Sequence, residues 1–119
     1  VLKLVASRLA EVQGGGHAFR YGGEEFTLLF PNCGIARAMP HLEAVRAAIE
    51  QRALVIRDDD RRARGAAREE QDLEQVLSVT VSIGVAAPGR RATTPADVMK
   101  AADAALYRAK QSGRNRIER

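Results

Sequence analysis

Two short stretches of this chain carry residues whose types and spacing could do chemistry. The first is Arg20-Tyr21-Gly22-Gly23-Glu24-Glu25-Phe26. Paired glycines leave backbone amides bare, so a phosphate or a base can come up against the main chain. Glu24 follows at once. Carboxylates are hard oxygen ligands suited to Mg2+, which typically bridges protein carboxylates and substrate phosphates. As neighbours on one strand, Glu24 and Glu25 point to opposite faces, so at most one aims squarely at a given site. Glu24, next to the turn, is the better placed. The same residues also fit an ordinary solvent-facing hairpin, and residue type alone leaves that reading open. The second stretch holds Lys110 and Arg114, four apart across the end of a predicted helix. Both can reach a polyphosphate. Cations at a helix C-terminus are also a favourable charge–dipole pairing with no ligand at all.

The elements that must position these residues can be read in order. Leu2, Val5, Leu9 and Val12 recur at spacings of three and four, which predicts a helix over Val1–Val12 that ends at Gln13-Gly14-Gly15-Gly16. His17–Tyr21 and Glu24–Phe30 flank Gly22-Gly23. That pattern predicts a β-hairpin with a type I′ turn, in which both glycines take positive φ. Phe26, Leu28 and Phe30 share one face of the second strand, and Thr27 and Leu29 the other, so the strand is expected to be covered on both sides. Pro31–Gly34 is a turn. Ile35–Arg52 reads as a helix, with the firm part placed at 40–52 because of Pro40. Leu77–Ala86 alternates Val79, Val81, Ile83 and Val85 with small residues, a strand pattern. Thr94 is placed to cap a helix, with Pro95 at its first position and Asp97 at capping-box spacing. That helix runs to about Ser112, with Gly113 at C′. Arg114–Ile117 is expected as a short closing strand. The order is helix, strand, strand, helix, strand, helix, strand. Tyr107 and Cys33 read as packing residues.

Composition narrows the field. A chain of 119 residues allows one small domain, taken as 1–119, and no run approaches the ~18 apolar residues of a membrane span. Direct membrane contact is therefore not expected. The single Cys33 excludes an internal disulfide framework and a Cys-rich zinc site, and His17 and His41 are too few for a His cluster. A cytoplasmic, reducing location is expected. The net charge of +4 has an address. Residues 57–74 hold five Arg against seven acids, whereas 108–119 hold five cations against Glu118. Residues 57–76 read as a charged insertion, a solvated helix or a mobile segment. Their interleaved acids oppose an RNA contact, and the chain's five aromatics form no basic stacking array. No nucleic-acid partner is expected.

Arg20-Tyr21-Gly22-Gly23-Glu24-Glu25-Phe26 resembles the signature of the GGDEF domain, the catalytic domain of diguanylate cyclases, in its GGEEF form. Ser78–Ala86 resembles the family's later core strand, and Ala102–Asn115 its closing helix and turn. The three motifs stand in the right order, and the resemblance runs over nearly all of the chain, with 57–76 as an extra-long variable segment. The resemblance implies an α/β (α+β) fold similar to nucleotidyl cyclase and polymerase palm domains, a mainly antiparallel sheet with helices packed on it. It implies two GTP condensed to cyclic di-GMP and pyrophosphate by a homodimer whose half-sites face each other. On the matching positions, Glu24 would bind Mg2+ (or Mn2+) and help deprotonate the attacking 3′-hydroxyl. Glu25 would assist the metal site or orient the hairpin, Gly22 and Gly23 would let the nucleotide lie against the backbone, and Lys110 and Arg114 would hold the terminal phosphates.

There are departures. The family's first strand and first helix, with a metal-binding Asp and guanine-reading groups, have no counterpart in these 119 residues. The domain is therefore expected to be N-terminally incomplete and inactive as a fragment, with a gap between strand edges. Many members carry an Arg-x-x-Asp product-inhibition site before the signature. Gln13 and Gly16 replace that Arg and Asp, so no inhibitory site is expected here. The alternative to a cyclase is a catalytically inactive GGDEF module that binds GTP or a protein partner and regulates an attached domain.

Overall fold

The computed structural model describes residues 2–64 and 79–119. Its elements follow the expected order: α1 (Leu2–Ala10), β1 (His17–Gly22), β2 (Glu25–Leu29), α2 (Ile35–Arg64), β3 (Ile83–Gly84), α3 (Pro95–Gln111) and β4 (Ile117–Glu118). β1 and β2 pair antiparallel, and β3 and β4 pair parallel across the α3 crossover. Among the described residues these are two separate two-stranded ladders. The mainly antiparallel sheet implied by the resemblance is thus seen as one antiparallel and one parallel pair. An apolar cavity of about 630 Å³ lies between them, lined by Leu28, Phe30, Val81, Ile83, Met99 and Leu106 among others.

The core forms where the stripe of α1 meets α2. Val5, Leu9, Val45, Ile49 and Val79 are buried together, with Phe26, Leu28 and Val81 packed against them. Ile49 is 0% exposed. Its burial contributes roughly 1.5–3 kcal/mol.

Several local expectations are corrected. α2 starts at Ile35 as expected but runs unbroken past Arg52 to Arg64, and Pro40 lies inside it rather than limiting its firm part to 40–52. Pro40 removes one donor, the one that would reach the carbonyl of Ala36. Ala36 is exposed, so that carbonyl is open to water. The cost is offset by burying Ala38, Leu42, Val45 and Ile49 on the same helix. The backbone of residues 57–64 continues this helix, and the rest of the expected 57–76 insertion lies outside the described residues. Among the described residues, the strand expected over Leu77–Ala86 pairs only at Ile83–Gly84, opposite Ile117 and Glu118 of β4. Its first two residues, Leu77 and Ser78, lie outside the described residues. The closing strand is shifted accordingly to Ile117–Glu118. β2 is covered on one side more than the other, since Leu29 is 51% exposed. Tyr107 lies on the open face of α3 and is 66% exposed, so it is not a packing residue.

α3 is as its sequence indicates. Thr94 Oγ1 accepts from the Asp97 N–H at 3.1 Å, and the Asp97 carboxylate accepts from the Thr94 N–H at 3.4 Å, a complete capping box. At the other end Gly113 takes φ +116°, and the Arg114 N–H reaches the Ala109 carbonyl at 2.9 Å, the long bond of a Schellman turn. Ala105 and Ala109 are fully buried. Gly84 lets the helix come this close. A Cβ built there would lie 2.2 Å from both the Ala102 carbonyl oxygen and the Leu106 nitrogen.

A methyl group at Gly84 cannot be absorbed by side-chain movement, because its neighbours are backbone. Gly84→Ala is expected to lower the stability of the protein by about 1–3 kcal/mol or more. Gly89→Ala, with nothing within 4 Å of the added atom, is expected to change it by less than about 0.5 kcal/mol. Urea midpoints of the two variants check this.

Candidate functional site

The hairpin tip is built by an irregular register. Arg20 pairs with Phe26, but Gly22 pairs with Glu25, so Tyr21 is an extra residue on β1. Tyr21 is 67% exposed. The bulge moves the turn on by one residue from the expected Gly22-Gly23. Its central residues are Gly23 and Glu24, between the paired Gly22 and Glu25. Gly23 takes φ +53°, whereas Gly22 and Glu24 do not have positive φ. That is the sign pattern of a II′ turn rather than the type I′ turn expected.

The shift changes the site. Glu24 lies in the turn itself rather than on the strand, and Glu25 opens β2. Both carboxylates are exposed. Nothing lies within 4 Å of a Cβ built at Gly22 or Gly23, so the backbone there is open to an approaching group. Glu25 and Tyr21 also reach the wall of the apolar cavity, as does Asp103 of α3.

Arg20 is a residue whose role sequence reasoning missed. Its Nη2 and Nε donate to the Gly23 carbonyl at 2.8 and 3.3 Å. One guanidinium fork thus braces the turn from the preceding strand. The signal available was a long cation directly before Tyr-Gly-Gly, which does not by itself say where its fork goes.

Lys110 and Arg114 sit together at the far end of α3, both exposed. Among the described residues, no hydrogen bond or ion pair joins them to the hairpin tip. The structure therefore holds two pairs of functional candidates, acidic on the hairpin and basic after α3, on separate elements. The turn carrying Arg114 is tied to α2 through Asn115, which accepts from Arg46 Nη1 at 2.7 Å and donates to Glu50 Oε2 at 3.2 Å. Arg46 also donates to Glu43 and Glu50. Those hydrogen bonds, to Glu43 foremost, outweigh burial and raise the Arg46 pKa. The bond from Arg46 likewise holds the Glu43 carboxyl below its usual range.

Two further positions are settled. Gln13 donates to the Glu11 carbonyl at 3.3 Å. Gly16 packs so close to the Phe30 ring that a Cβ would lie 2.8 Å from it. No group of three or more His, Cys, Asp or Glu placed to hold a metal occurs among the described residues. Glu24 and Glu25 could therefore supply only part of an oxygen shell, which is how Mg2+ is usually held. No described helix is long and apolar enough to cross a membrane.

The fold is a mixed α/β domain, and comparison with known proteins gives its family. The family model described as "Diguanylate cyclase, GGDEF domain" matches residues 1–116. The chain belongs to the GGDEF diguanylate cyclase domain family. It is 33% identical to the uncharacterized protein YhcK of Bacillus subtilis over 98% of this chain and 29% of that protein. It is 35% identical to the response regulator PleD of Caulobacter vibrioides, over 98% of this chain and 23% of PleD. Diguanylate cyclase A of Treponema denticola is 32% identical over 84% of this chain and 23% of its own length. The chain thus spans well under a third of these curated relatives. The crystal structure of the coiled coil and GGDEF domain of DgcB from Caulobacter crescentus, in complex with c-di-GMP, aligns with a TM-score of 0.68 at 30% identity. That alignment covers 98% of this chain and 55% of that one.

The turn register makes a distinguishing forecast. Gly23→Ala puts a Cβ at positive φ and is expected to cost about 1 kcal/mol. Gly22→Ala is expected to change stability by less than about 0.5 kcal/mol. A type I′ turn on Gly22-Gly23 would make both costly, and denaturation midpoints separate the two.

Proposed function

We propose that the intact protein carrying this chain is a diguanylate cyclase, which joins two GTP molecules into cyclic di-GMP with release of pyrophosphate. The observation that carries this reading is the hairpin tip. An open glycine backbone and two exposed carboxylates sit side by side there, in a chain of the GGDEF family. In this reading Gly22 and Gly23 let the nucleotide lie against the main chain, since no side chain stands in the way. Arg20 keeps the turn in place by holding the Gly23 carbonyl. Glu24 and Glu25 would hold Mg2+ (or Mn2+), which when bound neutralises phosphate charge and lowers the pKa of a coordinated hydroxyl. Glu24, in the turn, accepts the proton of the attacking 3′-hydroxyl. Lys110 and Arg114 bind the terminal phosphates of the bound nucleotide, whose charge the two cations balance.

Lys110 and Arg114 are not joined to the tip within one chain. The nucleotide is what spans the two pairs. Each protomer of a homodimer would hold one GTP, and the two half-sites would face each other. The palm-like sheet and the placement of this domain within a longer cytoplasmic protein belong to the same reading. So does the absence of product inhibition at Gln13 and Gly16. The Phe30 ring already occupies the space an Asp side chain would need at residue 16.

Chromatography of reactions with GTP and Mg2+ tests the proposal. The intact protein is expected to form cyclic di-GMP. Glu24→Gln is expected to lower turnover by at least about a hundredfold, the scale of a lost general base, while thermal unfolding is unchanged. GTP bound without product by the unsubstituted protein would instead mark an inactive binding module. Added cyclic di-GMP is expected to leave the rate unaltered; inhibition that Gln13→Ala relieves would contradict the assignment of no site there.

A further inference from the structure

The turn after α3 is held by hydrogen bonds from both α3 and α2. Gly113 is followed by Arg114 at φ +64° and Asn115 at φ +45°, two successive side-chain-bearing residues in the left-handed region. A residue such as Arg occupies that region at a steric cost and Asn at a smaller one, so two in succession call for surroundings that hold them. Here the surroundings can be named. The Arg114 N–H is held by the Ala109 carbonyl at 2.9 Å, and the Arg114 carbonyl accepts from Arg116 Nε at 3.1 Å. The Asn115 side-chain amide is held at both ends, its oxygen by Arg46 Nη1 at 2.7 Å and its nitrogen by Glu50 Oε2 at 3.2 Å.

Arg46 can do this because its guanidinium is itself fixed. Nε donates to both carboxylate oxygens of Glu43, and Nη1 donates to Glu50 Oε2 at 3.0 Å as well as to Asn115. Its side chain is only 17% exposed. One rigid fork therefore serves two carboxylates on its own helix and an amide 69 residues further along the chain. A lysine cannot reproduce that geometry, because a single ammonium cannot sit in all three places.

We propose that Arg46 and Glu50 are positioning residues for the phosphate-binding end of the site. By clamping Asn115 to α2 they hold the Arg114–Asn115 turn in the conformation that presents the Arg114 guanidinium to the polyphosphate of a nucleoside triphosphate. The inference rests on the cyclase reading for the identity of the ligand. Neither clamp residue touches the nucleotide. Their effect passes through Arg114, and that dependence separates positioning from a general contribution to folding.

The test is steady-state kinetics on the intact protein, with GMP binding measured alongside. Asn115→Gly removes the amide but leaves the left-handed backbone accessible, since glycine has no Cβ. Arg46→Lys keeps the charge and loses the fork. Both are expected to raise KM for GTP about tenfold, with kcat changed less than about twofold, as for loss of binding common to ground and transition states. Affinity for GMP, which lacks the terminal phosphates, is expected to stay within about twofold and reports that the fold is intact. In an Arg114→Ala background, Asn115→Gly is expected to add less than about a twofold further change, because the residue it serves is gone.

An Asn115→Gly effect that persists undiminished with Arg114→Ala would overturn the proposal. So would unchanged KM in both single variants, a loss that GMP binding shares, or an Arg114→Ala variant with normal KM. If the unsubstituted protein binds no GTP, the cyclase reading falls and the inference falls with it. If it turns GTP over while the clamp variants behave as wild type, the inference alone falls.

Discussion

A missing side chain at Gly84 sets the position of α3, and the basic end of the site depends on it. The Ala102 carbonyl and the Leu106 N–H occupy the space where a Cβ would be. The helix therefore lies directly on the backbone of β3, with Ala105 and Ala109 fully buried. From that seat the chain leaves α3 through Gly113 and returns to pair β4 with β3, the Ile83 N–H reaching the Arg116 carbonyl at 2.9 Å. Arg114 is thus bracketed between a helix end and a ladder bond two residues later. A helix held further out would carry Lys110 and Arg114 away from the level at which β4 begins.

The acidic end is positioned by different physics. The hairpin depends on a bulge at Tyr21, a single left-handed glycine and one guanidinium over a carbonyl. These are local and exposed. The tip therefore draws little on the core formed by Val5, Leu9, Val45, Ile49 and Val79. The turn after α3 is instead tied to α2 through Asn115.

How much was legible in the sequence depended on how local the cause was. The capping box of Thr94 and Asp97 and the C′ glycine at 113 involve neighbours within a few residues, and both are present as read. The hairpin was legible but its turn was not. Two adjacent glycines permit either register, and the bulge at Tyr21 chose Gly23-Glu24. Pro40 looked like a helix boundary because the local penalty is visible in sequence, whereas the burial of Leu42, Val45 and Ile49 that offsets it is a tertiary fact. The alternation through Val79, Val81, Ile83 and Val85 marks strand propensity, but a ladder needs a partner and β4 is two residues long. Of the candidate site, Glu24, Glu25, Lys110 and Arg114 were legible as residue types. Arg46 was visible only as one of several charges at helical spacing, and nothing in the sequence links it to Asn115.

The central claim is that these residues serve the condensation of two GTP molecules rather than GTP binding or hydrolysis. Phosphorus NMR of the intact protein with GTP and Mg2+ tests it most directly, because it counts both products in one sample. The expected spectrum shows GTP replaced by a phosphodiester resonance and by pyrophosphate, with one pyrophosphate released for each GTP consumed. Orthophosphate and GDP as products, or GTP unchanged in the presence of a folded dimer, would contradict the account.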